Sequence, residues 1–266
     1  MMTLFKSTIV ILGLLALPTG AVAANVAEVR RAMAAGDYDA AFTVAETIET
    51  AESLALAAES LLSDIMLGTA HKNKKQAKQA RELADKALEL DAAHQNARLQ
   101  FTIADGFVTR ETGDVSAWMK KLPQKTQAVV QAYRLDYPDD VRGDALMGAW
   151  HLAIVRKAGD GNARKWFGAN VADGQAFYDK AIAFEPDNAV IGVNYAFAMI
   201  ALEDEDMPNV SAAWAILEHL SALDQPDHLN RTVMDYGREA LTVKADRDAA
   251  RDYAGMFLDG EKPELN

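Results

Sequence analysis

The stretch Gly174-Gln-Ala-Phe-Tyr178-Asp-Lys-Ala181-Ile-Ala-Phe-Glu-Pro186-Asp-Asn188 is written to the same plan as Ala80-Arg-Glu-Leu-Ala84-Asp-Lys-Ala87-Leu-Glu-Leu-Asp-Ala92. Another part of that plan recurs as Gly36-Asp-Tyr38-Asp-Ala-Ala41, with Ala45 and Ile48 following at helical spacing. Repetition of this kind in a chain of 266 residues points to an architecture built by stacking one small unit.

In the template, small residues recur four and seven positions apart, on one face of a helix, where they let a second helix approach closely. An acidic residue and Pro186 close the second copy, and proline can open the next helix because a first-turn amide has no intrahelical partner. The plan resembles the tetratricopeptide repeat, whose unit is two antiparallel helices and whose second helix opens with a Gly-Asp-Tyr-like turn. The resemblance implies an all-α chain, a TPR-like α-solenoid of antiparallel helix pairs, as one domain over residues 24–266. An unrelated bundle of Ala-rich amphipathic helices is the alternative. The composition agrees with an all-helical chain, being half hydrophobic and without an alternating β-branched run.

The first 23 residues read as a signal peptide. Lys6 precedes the apolar run Thr8 to Leu17, then come Pro18 and Gly20, and Ala21-Val22-Ala23 offers the small residues a signal peptidase accepts. The run is short for a membrane span, so cleavage near Ala23 and a periplasmic or secreted product are expected, with a retained anchor as the alternative. The chain has no cysteine, which excludes disulfides, thiolate chemistry and lipid attachment through a thiol. Asn209-Val-Ser211 and Asn230-Arg-Thr232 match the glycosylation pattern, which matters only in a eukaryotic secretory route.

The formal net charge is -12, and loss of Lys6 with the signal segment leaves 26 bases against 39 acids, or -13. That balance argues against nucleic acid or anionic lipid as the main partner. The bases are nevertheless clustered. His71-Lys72-Asn73-Lys74-Lys75 with Lys78 and Arg81 is one group, and Arg156-Lys157 and Arg164-Lys165 bracket Gly159-Asp160-Gly161 as another. Solvated helix ends account for both.

Spacing individualises the chain. From Ala92 to Pro138 is 46 residues and from Pro138 to Pro186 is 48, against about 34 for the tetratricopeptide unit. Met147-Gly148 matches the Leu-Gly of the family's first helix, and Gly174 opens the second. The second excess therefore falls across roughly Lys157 to Val171, and by the same logic the first falls near Arg110 to Pro123. Longer helices are the alternative to inserted connections, which often carry function.

The resemblance also implies a groove. Its lining positions, counted from Val141 and Ala189, are Arg142, Ala145, Ala149, Leu152 and Ala153, then Val190, Val193, Phe197, Ile200 and Ala201. Among the Lys, Arg and Asn that grip a peptide carboxylate in that family, only Asn194 fits. At about 25 cal/mol per Å² an apolar trough needs a cover. Either a hydrophobic ligand or partner helix supplies it, or Trp166 and Phe167 fold back from the second insertion as a plug. His151, Arg156 and Arg164 are the candidate polar contacts. The stretch from Asp144 to Leu202 resembles exported bacterial tetratricopeptide proteins. More distantly it is similar to the helical accessory subunit of TRAP-type transporters, which presents a hydrophobic cavity to a solute-binding protein, a likeness of architecture and export alone.

No catalytic motif is present: there is no His-Glu-x-x-His, no Gly-Lys-Ser/Thr phosphate loop and no Gly-x-Ser-x-Gly. Glu203-Asp-Glu-Asp206 lacks the spacing of a calcium loop, and His219 and His228 are joined by residue type alone. No catalytic residue, metal or cofactor is expected. The leading expectation is a non-enzymatic periplasmic scaffold that recruits another envelope protein. The alternative is a carrier or transport accessory binding a hydrophobic small molecule, and an enzyme working through His151 is a third.

Overall fold

A computed structural model describes residues 19–70, 73–202 and 210–265. Among these residues the chain is all-helical, with fourteen α-helices and no strand. They are α1 (Thr19–Ala35), α2 (Tyr38–Ile48), α3 (Ala51–Met66), α4 (Asn73–Leu90), α5 (Gln95–Arg110), α6 (Asp114–Met119), α7 (Leu122–Asp136) and α8 (Val141–Ala158). Then follow α9 (Asp160–Phe167), α10 (Val171–Phe184), α11 (Ala189–Ala201), α12 (Val210–Ser221), α13 (His228–Thr242) and α14 (Arg247–Asp259). The expected leader up to Pro18 and the acidic run Glu203–Asp206 lie outside the described residues, as do His71 and Lys72 of the first basic group. No described helix is long and apolar enough to cross a membrane.

Short polar side chains start several of the helices by satisfying first-turn amides. Asp140 accepts from the Arg142 amide, Asn170 from Asp173, Asn188 from Ile191 and Asp227 from Asn230. Thr50 and Ser53 form a reciprocal box at α3. The three template copies fall on α2, α4 and α10; the same places are buried in the last two, Ala80, Ala84 and Ala87 and then Gly174, Tyr178 and Ala181, while α2, a copy of another part of the plan, buries Tyr38, Ala41 and Ala45. Where α8 crosses α10 the backbones nearly touch. A Cβ on Gly148 would stand 2.6 Å from Tyr178 Cδ2 and 2.9 Å from the Gly174 carbonyl oxygen.

Successive helices pack on one another from α1 to α5, and α5 continues onto α7, α7 onto α8, α8 onto α10, and α11 onto α12. The short helices α6 and α9 stand inside the two intervals where the spacing leaves residues over, α6 against α7 and α9 against α8. Apolar side chains form three clusters: one from α1 to α5, one around Val130, Met147 and Trp150, and one joining α8, α10 and α11 to α14.

The last two helices do more than end the chain. Both pack on α11, and α13 also meets α1. Tyr236 donates its hydroxyl to the Leu67 carbonyl at 2.8 Å, and Asn73 Nδ2 donates to the Gly260 carbonyl at 3.0 Å. Tyr38 meets His228 edge to face, and Arg156 of α8 holds Asp259 at the end of α14. The C-terminal segment thereby ties the first half of the molecule to the second.

Candidate functional site

Where the three clusters meet they leave a cavity of about 650 Å³. That volume falls within the ~300–1,000 Å³ of ordinary small-molecule sites. Its walls come from α5 (Ile103, Phe107), α7 (Val130), α8 (Leu146, Ala149, Leu152, Ala153), α10 (Tyr178), α11 (Asn194, Ala198) and α14 (Phe257, Leu258). Both short helices reach it: α6 through Ala117 and Trp118, and α9 through Asn162, Trp166 and Phe167. Ala153 is exposed although its neighbour Leu152 is buried, so the cavity opens on that side of α8.

The wall is mostly apolar, and several of its polar groups are already engaged. Thr109 and Thr126 share a hydrogen bond of 2.9 Å, and Thr126 donates onward to Asp105 at 2.7 Å. Trp150 donates its indole N–H to the Pro123 carbonyl at 2.9 Å, fixing the start of α7 against α8. Asn194 spends its amide N–H on the Val190 carbonyl at 2.8 Å.

The charged residues of the wall are Arg110, Arg156 and Lys157, and no acid is among them. Arg156 and Lys157 pair with Asp259 behind the wall. Arg110 lies over the Phe107 ring at 4.4 Å and donates through Nε to Glu111 at 3.0 Å. Its Nη1 makes a long contact of 3.5 Å with the Leu258 carbonyl, and its Nη2 is buried without a partner. Burial lowers the pKa of Arg110 from its ordinary value, with Glu111 acting in the opposite sense. Arg110 thus brings a cation paired with Glu111 to the cavity wall, while its unpartnered Nη2 is packed against Gly260 rather than facing the space.

The expected groove residues divide into two groups. Ala149, Leu152 and Asn194 line the cavity, as do Trp166, Phe167 and Arg156. Val193, Phe197 and Ile200 do not: all three are fully buried in the core. The reason is α14, which packs on α11 and sets Tyr253 and Phe257 edge-on against Phe197, at 6.0 and 5.1 Å between ring centres. A register counted along single helices carries no information about a segment that arrives from 60 residues further on. Trp166 and Phe167 stand in the wall rather than filling the space, and Trp166 remains 56% exposed. Arg164 sits outside, exposed on α9, 3.6 Å from Asp160.

His151 is buried beside the cavity wall, not in it. Its Nδ1 accepts from the Asn170 amide at 3.2 Å, and its ring packs between Trp150 and Phe177. His219 pairs with Asp187 at 2.9 Å, while His228 packs on Tyr38. Among the described residues no three His, Asp or Glu side chains gather at metal-binding distance. The chain matches no protein-family model and no curated protein.

Sequence reasoning missed Arg110, Phe107, Trp118 and Phe257 as parts of the site. For Trp118 and Arg110 a signal existed, because the first over-long interval runs from Arg110 to Pro123; for Phe107 and Phe257 none did.

Proposed function

We propose that the chain is a TPR-like solenoid closed on itself, and that it works as a non-enzymatic envelope carrier holding a hydrophobic small molecule in its central cavity. The observation that carries the reading is the open, largely apolar space of about 650 Å³ with cations and no acid in its wall. The space fits an apolar body, and a wall with Arg110, Arg156 and Lys157 but no acid suits an anionic end to that molecule. The leader-like N-terminus supports export. The placement of α6 and α9 inside the two expanded intervals supports the tetratricopeptide-like plan, since the repeat then accounts for both surpluses.

Recruitment of an envelope protein, the leading expectation from sequence, has weaker support. Leu90, Leu135 and Phe184 are exposed, one near the C-terminal end of each of α4, α7 and α10, and single exposed apolar side chains are normal on a surface. Catalysis through His151 has weaker support still, because the ring is buried and its Nδ1 engaged.

Native mass spectrometry of protein from its own compartment, before and after mild organic extraction, tests the carrier. A small mass lost on extraction is the expected result. In parallel the extracted protein should take up the neutral apolar dye N-phenyl-1-naphthylamine. Ala153→Trp, which puts an indole into the open side, should weaken that uptake by about tenfold or more, the factor for losing most of an apolar ligand's burial. A clean apo mass together with no dye uptake would end the carrier reading.

A further inference from the structure

The two short helices share a composition that the cavity does not require. In α6 and the turn after it, Trp118 and Met119 are followed by Lys120 and Lys121; in α9, Arg164 and Lys165 precede Trp166 and Phe167. Trp118 is 60% exposed, Met119 77% and Trp166 56%, and the four basic residues are exposed as well. They are among the most exposed large apolar side chains of the described residues, and the two tryptophans line one cavity from two separate insertions. Leaving two indoles and a methionine in water costs free energy that a folded chain ordinarily avoids.

Charge separates this rim from the rest of the molecule. Residues 114–125 hold Lys120, Lys121 and Lys125 against Asp114, a net of +2. Residues 156–167 hold Arg156, Lys157, Arg164 and Lys165 against Asp160, a net of +3. The rim is therefore +5 in a chain of -12, and everything else carries -17. Some of this charge is countered locally: Asp259 of α14 pairs with Arg156 and Lys157, and Asp160 stands near Arg164. Lys165 lies over the Trp166 ring at 4.8 Å, a cation beside an indole.

Aromatic and cationic side chains together, on short helices, match the boundary of an anionic bilayer. Indole partitions to the headgroup level, and each nearby lysine or arginine gains from anionic lipid. Indoles serve protein interfaces as well, so the bilayer is favoured here by the two exposed indoles lining one apolar space from two separate helices. We infer that the rim formed by α6 and α9 docks on an anionic phospholipid surface and turns the cavity mouth toward the bilayer. The purpose of such docking, exchange of the cargo with lipid, rests on the carrier reading; the docking itself rests on the rim.

Two of the four tryptophans, Trp150 and Trp214, are buried, so Trp118 and Trp166 act as reporters. The test uses the full chain with vesicles of dibrominated phosphatidylglycerol or dibrominated phosphatidylcholine, reading quenching of tryptophan emission. The apolar N-terminal run can enter lipid by itself, which makes quenching at the rim a better readout than sedimentation. The expected result is strong quenching by the anionic vesicles and at least ~5-fold less by the zwitterionic ones. Lys120→Gln, Lys121→Gln and Lys165→Gln should each weaken the anionic response by ~5-fold. Trp118→Phe/Trp166→Phe, conservative at exposed sites, should remove it.

Equal quenching by both lipids would overturn the inference, and so would quenching that survives in the Phe/Phe variant. Retention of an acidic protein through the same lysines, with no lipid quenching, would replace the membrane by a protein partner. Dye uptake in the absence of vesicles reports on the cavity alone, so the carrier can fail while docking stands, or the reverse.

Discussion

His151 shows how much one buried side chain constrains. Burial lowers its pKa from 6.5, Asp173 pulls the other way and Arg134 adds to the lowering, so the ring stays neutral and its Nδ1 accepts from Asn170, the residue that caps α10. The sign of the linkage follows. Below about pH 6.5 the unfolded chain takes up a proton that the folded chain resists, so this contribution is complete above that value and is lost as pH falls toward the lower folded value. Thermal melts of the wild type should therefore drop between pH 7 and 5.5 more steeply than those of His151→Phe, and parallel slopes would reject this account. Asp140 illustrates the opposite balance. Burial opposes its ionisation, yet hydrogen bonds from Arg142 and Tyr133 outweigh that and hold it down to about 2, while Gln95 of α5 donates to the same carboxylate. The packing role of His151 is readable from its place beside Trp150 one turn from Gly148. The convergence of Gln95, Tyr133 and Arg142 on Asp140 is not, because its members come from three helices.

Between elements, closeness of approach is the deciding quantity. Gly148 and Gly174 let α8 and α10 cross with no room for a methyl, and a Cβ at Gly148 meets backbone as well as the Tyr178 ring. Gly148→Ala should cost ~1–3 kcal/mol as overpacking, despite the better helix propensity of alanine. Urea denaturation measures it, and a neutral or stabilised variant would mean that the two helices separate without cost. Against a tetratricopeptide-like unit the spacing leaves 12 and 14 residues over, which longer helices or inserted connections would equally absorb, and α6 and α9 stand in those two intervals. What spacing does not announce is that both extra pieces arrive at one cavity, since this depends on how α5, α7 and α8 are rotated about one another.

At the scale of the molecule, α14 decides the shape. Phe257 fills the space between Phe197 and Tyr236 and also touches the cavity, 3% exposed. Phe257→Ala should remove ~3–5 kcal/mol, as large-to-small changes in a core do. Because Asn73 and Leu67 of the first half bond to Gly260 and Tyr236 of the last, amide exchange should quicken in α3 and α4 as well as in α14. Protection unchanged outside α11–α14 would show that the two halves open independently. Closure also explains the fate of the expected groove. Ala149, Leu152 and Ala153 serve as wall, whereas Val193, Phe197 and Ile200 are core because the chain's own end covers them before any partner can.

By itself the amino-acid sequence determined the helical class, the buried faces of α2, α4 and α10, and the two intervals that hold α6 and α9. These are properties of spacing along one chain, and helical periodicity and loop surplus are local quantities that sequence records directly. Only the tertiary structure decided that the C-terminal pair returns to the N-terminal half, that a cavity remains where three cores fail to merge, and that Arg110, Phe107, Trp118 and Phe257 share its wall. Those are relations between residues up to 197 positions apart, as between Arg231 and the Ala34 carbonyl, and they are set by packing geometry that no local pattern encodes.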